Sequence, residues 1–369
     1  LKKGPQTTAA VLATPAEPLP FRRVLTWILL AAVPSGLMLS TTLHLTTDIA
    51  AMPLLWVVPL AIYLLSFTVA FSEGRRLARL CSVLAPFSVL LVCIGLFRAQ
   101  GNLLFPLMIV ALVATALHAR MFDDRPPASQ LTGFYLAMSV GGVLGGVFCA
   151  LLAPLLFDWT YEHPILLVAA GVLVAGRHPL RLLERLWSRP QTERVILVLV
   201  AVLALLLAAW PDQPQWLRST LLGLTVAVAA VSIGKRILFG MALGVLLIAT
   251  GGLQKLSLSL APGQMTRSYF GVYSVRDAED VRFLMHGTTL HGLQQRGSPE
   301  RERLPTSYYA PASAVGRVLD AAPLLFGPGA RIGAVGLGTG TMSCYARPDQ
   351  RWTYYEIDPV VVDIAQDER

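Results

Sequence analysis

Charge is scarce in this sequence. Asp, Glu, Lys and Arg make up 14% of its 369 residues, and hydrophobic residues make up 54%. A soluble domain carries about a quarter charged residues, so a soluble protein over the whole length is excluded and a membrane protein is implied. The mean hydropathy of +0.60 agrees. Cysteine is scarce too. Cys81, Cys93, Cys149 and Cys344 are the four, three of them in or beside apolar runs, and no CxxC pair exists. That excludes a disulfide framework and a zinc site. A continuous basic face is also missing. The formal net charge is +8, but Lys and Arg sit in short clusters between apolar runs. Such clusters follow the positive-inside rule and argue for a lipid bilayer, not a nucleic acid, as partner. No signal peptide precedes the first apolar run. The chain starts on Leu and its last residues, "DIAQDER", stop inside an apparent helix, so it reads as a fragment.

What is present falls into four stretches. Residues 1–21, rich in Pro, Ala and Thr, read as a flexible linker. Residues 22–255 read as a membrane domain. Apolar runs of about 20 residues span about 30 Å of hydrocarbon. They are placed near Val24–Leu43, Ile49–Phe71, Leu80–Phe97, Leu103–His118, Leu131–Phe157, Pro164–Ala175, Val195–Trp210, Leu217–Ile233 and Ile237–Leu253. The sixth is short enough to be re-entrant, so the count is eight or nine transmembrane helices. Residues 256–304 read as a small β domain. Residues 305–369 read as the first half of a Rossmann-like α/β domain of the adenosylmethionine type.

The loops carry a topology signal. Arg22 and Arg23, "GRRLAR", "HARMFDDR", "GRHPLRLLERLWSRPQTER" and "GKR" alternate with "LTTD", "RAQGN", "DWTYEH" and "PDQPQWLRS". The rule puts the first set in the cytoplasm, and a ninth full span would put the C-terminal part outside. Adenosyl cofactors are made in the cytoplasm, so the cofactor argument places that part in the cytoplasm. The fifth span holds Gly141, Gly142, Gly145 and Gly146 at small-xxx-small spacing, which reads as helix packing. Asp48 reads as the cap of a helix starting at Ile49. A transport role for Asp48 or His44 is the alternative. His118, His163 and His178 read as interfacial.

Past about Ser257 the pattern turns β-like. Tyr269–Val275, Val281–Gly287 and Thr289–Gln295 are short runs between polar turns, suggesting an antiparallel sheet. "LPTS" then caps a helix over Tyr308–Ala322. "RIGAVGLG" is a buried strand entering a turn with Gly336, Gly338 and Gly340. Glycine there permits positive φ and leaves no Cβ between backbone and ligand. A helix over about Thr341–Ala346 offers its first N–H groups. Glu356 follows Gly336 by 20 residues at the end of "WTYYEID", with Asp358 two residues on along the same strand face. A carboxylate there is placed to accept both hydroxyls of a ribose. Thr341 stands where a dinucleotide fingerprint has its third glycine, which favours adenosylmethionine over NAD. His286 and His291 read as structural histidines, since no third ligand is spaced to join them.

The motifs "LHGLQQ", "PTSYY", "GLGTGT" and "YEIDP" in this order resemble spermidine synthase, an aminopropyltransferase. "LTTDIAAMPLLWVVPLAIYLLSF" and "FYLAMSVGGVLGGVFCALLAPLLFDW" resemble the bacterial fused major-facilitator/spermidine-synthase-like membrane proteins. The resemblance implies an inner-membrane aminopropyltransferase-like enzyme in polyamine biosynthesis. Its cofactor substrate is decarboxylated S-adenosylmethionine, its acceptor a small putrescine-like amine. Carried over by position, Gln295, Gly336, Gly338, Gly340, Glu356 and Asp358 belong to cofactor binding and Tyr308 to substrate binding. Thr339 is also a cofactor-binding position, but it replaces the family's aspartate. His291 replaces a second aspartate, and Tyr309 stands where Gln or His is usual. Those departures are expected to shift cofactor or amine preference away from ordinary spermidine synthesis. The catalytic acid is expected beyond Arg369, so the fragment itself is expected to be inactive. Alternatives are a methyltransferase-like enzyme using S-adenosylmethionine, and a transporter or sensor whose nucleoside domain only binds. Neither calls for a metal.

Overall fold

The computed structural model describes residues 19–49, 52, 54–97, 103–176, 187–210 and 213–367. Most of the expected linker and His178 lie outside them. The N-terminal region is helical: α1 (Phe21–His44), α2 (Val57–Phe71), α3 (Arg76–Gly95), α4 (Leu104–Asp123), α5 (Leu131–Val147), α6 (Glu162–Val174), α7 (Pro190–Ala209), α8 (Gln215–Val231), α9 (Arg236–Leu247) and α10 (Leu253–Leu260). Six helices among the described residues, counting α9 and α10 as one, are long and apolar enough to cross a membrane. Val57–Phe71, Glu162–Val174 and Gln215–Val231 are shorter apolar helices.

Several boundaries differ from expectation. A π-helical turn, Leu45–Ile49, continues α1, so Ile49 ends a helix instead of starting one; the next helix among the described residues begins at Val57. The fifth run keeps its expected bounds, α5 continuing through a π turn at Phe148–Leu152 to Leu156. The ninth extends to Leu260, through a π turn at Ile248–Gly252, and carries the helical region past residue 255. Gly251 sits against the turn that follows α3: a Cβ there would fall 2.7 Å from Phe97 Cβ.

The glycines of α5 are a packing seam. A Cβ on Gly141 would lie 2.4 Å from the Ile28 carbonyl oxygen, and one on Gly145 2.3 Å from that of Ala32. Glycines four apart share a helix face, so α1 and α5 approach backbone to backbone. Ser35 adds a bond, its Oγ donating to the Gly142 carbonyl at 2.9 Å. His118 and His163 are buried inside the helical region. His118 stacks on Phe67 at 3.6 Å, with its Nδ1 2.8 Å from Ser66 Oγ. His163 Nδ1 lies 2.8 Å from Ser40 Oγ.

Side-chain contacts sort the helix ends into two faces. On one, Arg23 and Trp27 bind Asp124, Arg75 binds Asp123, Arg120 donates to the Leu173 carbonyl, and Lys235 binds Glu193. That face gathers the starts of α1, α3, α7 and α9 with the ends of α4 and α6. On the other, Phe97 stacks on Trp159, Thr250 donates to the Cys93 carbonyl, and Arg218 donates to the Ala249 carbonyl. The sheet stands on this second face.

The sheet has four antiparallel strands in sequence order: β1 (Met265–Ser268), β2 (Gly271–Ala278), β3 (Val281–His286) and β4 (Thr289–Gln295). β1 was not expected; four residues are too few for a period-2 pattern to register. Arg267 on β1 forms a bidentate pair with Glu162 of α6, both oxygens at 2.8 Å, and donates to the Trp159 carbonyl. Both side chains are buried, 3% and 1% exposed. Ser259 at the end of α10 adds bonds to Asp158 and Tyr161. The sheet is thereby fastened to the 157–162 connection.

Beyond the sheet come α11 (Ala314–Phe326), β5 (Arg331–Val335), β6 (Arg351–Tyr355) and α12 (Pro359–Gln366). α11 starts later than expected. Ser313, not the "LPTS" stretch, caps it by accepting from Gly316 N at 3.0 Å. Tyr308 and Tyr309 lie in a short 3-10 turn before it. β5 and β6 pair in parallel, Val335 opposite Tyr355.

Candidate functional site

The turn after β5 is built from three left-handed residues. Gly336, Gly338 and Gly340 have φ of 88°, 58° and 70°. A side chain at any of them would be strained, so the G-x-G-x-G spacing is a conformational requirement. Gly336 N donates to the Tyr355 carbonyl at 2.9 Å, extending the β5–β6 ladder into the turn. The helix expected after the turn is present, but it is not an α-helix. Thr341–Tyr345 is a 3-10 helix of five residues. Residues 336–350 complete the crossover between parallel strands without the usual α-helix, so the turn has little helix dipole behind it.

Glu356 lies behind the turn. Its Oε2 accepts from Leu337 N at 2.7 Å, and its Oε1 accepts from Ile357 N and Asp358 N at 2.9 and 3.0 Å. Burial alone would raise its pKa, but these backbone donors outweigh it and hold the carboxyl below its ordinary value. A carboxylate accepts about four hydrogen bonds. Three are taken, so Glu356 can accept one ribose hydroxyl at its remaining lone pair, not both, while it holds the turn.

Asp358 is not on a strand face with Glu356. It caps α12, Oδ1 accepting from Val360 N at 3.0 Å, and its Oδ2 accepts from Ser268 Oγ at 2.5 Å. It is 1% exposed. Burial and the adjoining Asp358 raise the Tyr273 phenol. Asp358 therefore ties α12 to β1 and β2 and has no surface to offer a ligand.

β4 lies against the turn. A Cβ on Gly292 would fall 2.3 Å from Thr339 Oγ1, so glycine is needed there for the approach. Thr339 Oγ1 is 2.7 Å from Thr341 Oγ1. Tyr308 OH donates to the His291 carbonyl at 2.8 Å. The structure thus brings Thr339, Gly292, His291 and Tyr308 together. Gln295 stands farther along β4, its Oε1 accepting from Arg301 Nε at 3.4 Å. His286 Nε2 is 3.2 Å from the Phe270 carbonyl, and its ring stacks on Tyr273 at 4.6 Å. Gly292 and Ser268 were missed. A single glycine or serine in a strand carries no pattern, although the G of "LHGLQQ" was in view.

A cavity of about 1130 Å³ opens beside Thr339, Gly340 and Thr341, bounded by β2–β4 and α12. Asp277, Glu302, Asp363 and Asp367 line it, against Arg282 and Arg303. These are four acids and two arginines, and Asp277 is held by Arg282 and Arg296. Glu356 and Gln295 do not line it. Comparison of the chain with protein-family models, curated proteins and solved structures gives no match.

Proposed function

We propose that the C-terminal part binds a sulfonium nucleoside at the glycine turn, as the opening β–turn–β of a Rossmann-like domain. The observation that carries this is the turn itself: three left-handed glycines backed by Glu356, the last of them, Gly340, lining an acid-lined cavity with Thr339 and Thr341. Backbone without Cβ allows close approach of a nucleoside. The acids compensate a sulfonium or an amine. In this reading the intact protein is a membrane-anchored aminopropyltransferase-like enzyme of a bacterial inner membrane. Its donor is decarboxylated S-adenosylmethionine, and its acceptor a small amine. An amine attacks the carbon beside the sulfonium, that C–S bond breaks, methylthioadenosine leaves, and the ammonium formed gives up a proton.

The two faces of the helical region bear on sidedness. Arg23, Arg75, Arg120 and Lys235 mark the face that the positive-inside rule assigns to the cytoplasm. The sheet and turn stand on the opposite face, so our reading puts them outside and replaces the cytoplasmic placement. That face favours one second reading. A nucleoside domain remote from the cytoplasmic cofactor pool serves as a sensor or a transporter's binding domain, without catalysis.

Dissociation constants for decarboxylated and ordinary S-adenosylmethionine, measured by calorimetry on the intact protein, test the proposal. Thr339 offers a hydroxyl where an aspartate would pair with the aminopropyl ammonium, so the two should bind within about 100-fold, ~2.7 kcal/mol. Thr339→Asp should shift preference to the decarboxylated form. Binding of neither removes the nucleoside reading. Binding of both without formation of methylthioadenosine selects the sensor or transporter.

A further inference from the structure

The turn between β1 and β2 projects two aromatic side chains from the surface. Tyr269 is 57% exposed and Phe270 47%. The backbone beneath them is pinned on both sides. Phe270 N donates to Ser268 Oγ at 3.0 Å, and His286 Nε2 lies 3.2 Å from the Phe270 carbonyl oxygen. A Cβ on Gly271 would collide with the His286 ring, so only glycine closes the turn there. The rings are held out by a fixed turn. That turn stands at the level of the helices. Arg267, two residues before Tyr269, is locked to Glu162 and to the Trp159 carbonyl, and two strand residues reach only about 7 Å. Tyr269 and Gly271 share a cavity of about 630 Å³ with Leu39, Leu43 and Leu96. Leu39 and Leu43 lie within α1, not past its end.

We infer that the β1–β2 turn is a membrane anchor: Tyr269 and Phe270 enter the lipid interface beside the helix ends and seat the sheet on the bilayer. The apolar surface of the helices leads to this turn. Leu155 and Leu156 are exposed just before the connection that grips Arg267, and Leu253, Leu256 and Leu260 are exposed along one stripe of α10, just before β1. The bilayer that covers these leucines therefore reaches the turn, and no separate partner is needed to cover it. Exposed tryptophans mark the same level. Trp56 precedes α2, Trp210 ends α7 and Trp216 starts α8, all at helix ends on the face that carries the sheet. Aromatic side chains collect at that depth, with the ring body among lipid and a polar tip in the headgroup layer. No residue of Gly336–Gly340 takes part, so the anchor is independent of the nucleoside reading. Either side of the membrane offers it the same interface.

The test uses the intact protein in phosphatidylcholine nanodiscs, carrying Cys344→Ser because Cys344 is exposed while Cys81, Cys93 and Cys149 are buried. Nitroxide labels are placed at Tyr269→Cys, at Phe270→Cys and at Ala278→Cys. The last lies at the far end of β2, about 23 Å from the turn by strand rise. Collision with oxygen, which concentrates in lipid, is expected to dominate at the first two positions, and collision with a water-soluble nickel chelate at Ala278→Cys. Nickel dominance at all three positions overturns the inference. Spin–spin broadening between labels at Phe270→Cys would assign the rings to a second copy of this chain and overturn it as well. Phe270→Trp keeps an aromatic ring and needs no label. It should add emission that brominated phosphatidylcholine quenches, and an added emission that resists quenching again overturns the anchor.

Discussion

Glu356 serves the turn before it serves any ligand. Losing its acceptors leaves Leu337, Ile357 and Asp358 N–H groups without a partner. Glu356→Ala should therefore cost about 1.5–3 kcal/mol. That loss should appear in the thermal unfolding of the C-terminal part with no nucleoside present. An unchanged transition would mean that the turn holds itself. The pH dependence has a definite sign. The folded carboxyl lies below its ordinary value of 4.5, so its stabilisation is full above that value and is lost as pH falls through the folded pKa. His291 works in a higher window. Burial, and then the neighbouring His286, lower its pKa from 6.5. The folded state binds fewer protons than the unfolded one, so stability should fall as pH drops below about 6.5. Denaturant midpoints at pH 7.5 and 5.5 measure this, and His291→Asn should flatten the difference. At this scale the glycines and Glu356 were legible, because positive φ and a distant acid leave marks in the sequence. Asp358 was legible as a motif member but not as a cap, since its partner Ser268 lies 90 residues away.

Between elements, close contacts set the expected costs. A side chain on Gly145 would meet the Ala32 carbonyl oxygen at 2.3 Å, which is backbone and cannot rotate away. Gly145→Val should cost about 1–3 kcal/mol by overpacking and lower the detergent-solubilised melting temperature. Gly142→Ala meets nothing within 4 Å and should be neutral or stabilising. Equal losses in both would deny the seam. The Glu162–Arg267 pair is the fastening between α6 and β1. Removing one partner leaves a buried charge uncompensated, at about 3–5 kcal/mol. Arg267→Met should therefore expose the sheet to limited proteolysis, and Glu162→Gln/Arg267→Met together should restore much of the protection. Long apolar runs announced the helices because burial in lipid needs length and composition alone. The start of α2, the 3-10 turn after Gly340 and strand β1 were not legible, because tertiary contacts decide such short or interrupted segments.

For the whole molecule, alternation of basic and neutral loops was legible, and the contacts among Arg23, Asp124, Arg75, Asp123, Lys235 and Glu193 gather it into one face. The side of the sheet was not legible, because it depends on whether short runs such as Glu162–Val174 count as full helices. Arg267, Ser259 and Glu162 place the sheet at the opposite face. The chain carries its own probe for the central claim. Cys344, beside the glycine turn, is exposed, whereas Cys81, Cys93 and Cys149 are buried. The measurement is labelling by a membrane-impermeant maleimide in intact spheroplasts of an expressing bacterium, with Cys344→Ser as control. The account predicts labelling before permeabilisation that the serine variant loses; labelling of Cys344 only after permeabilisation would contradict it and return the turn to the cytoplasm.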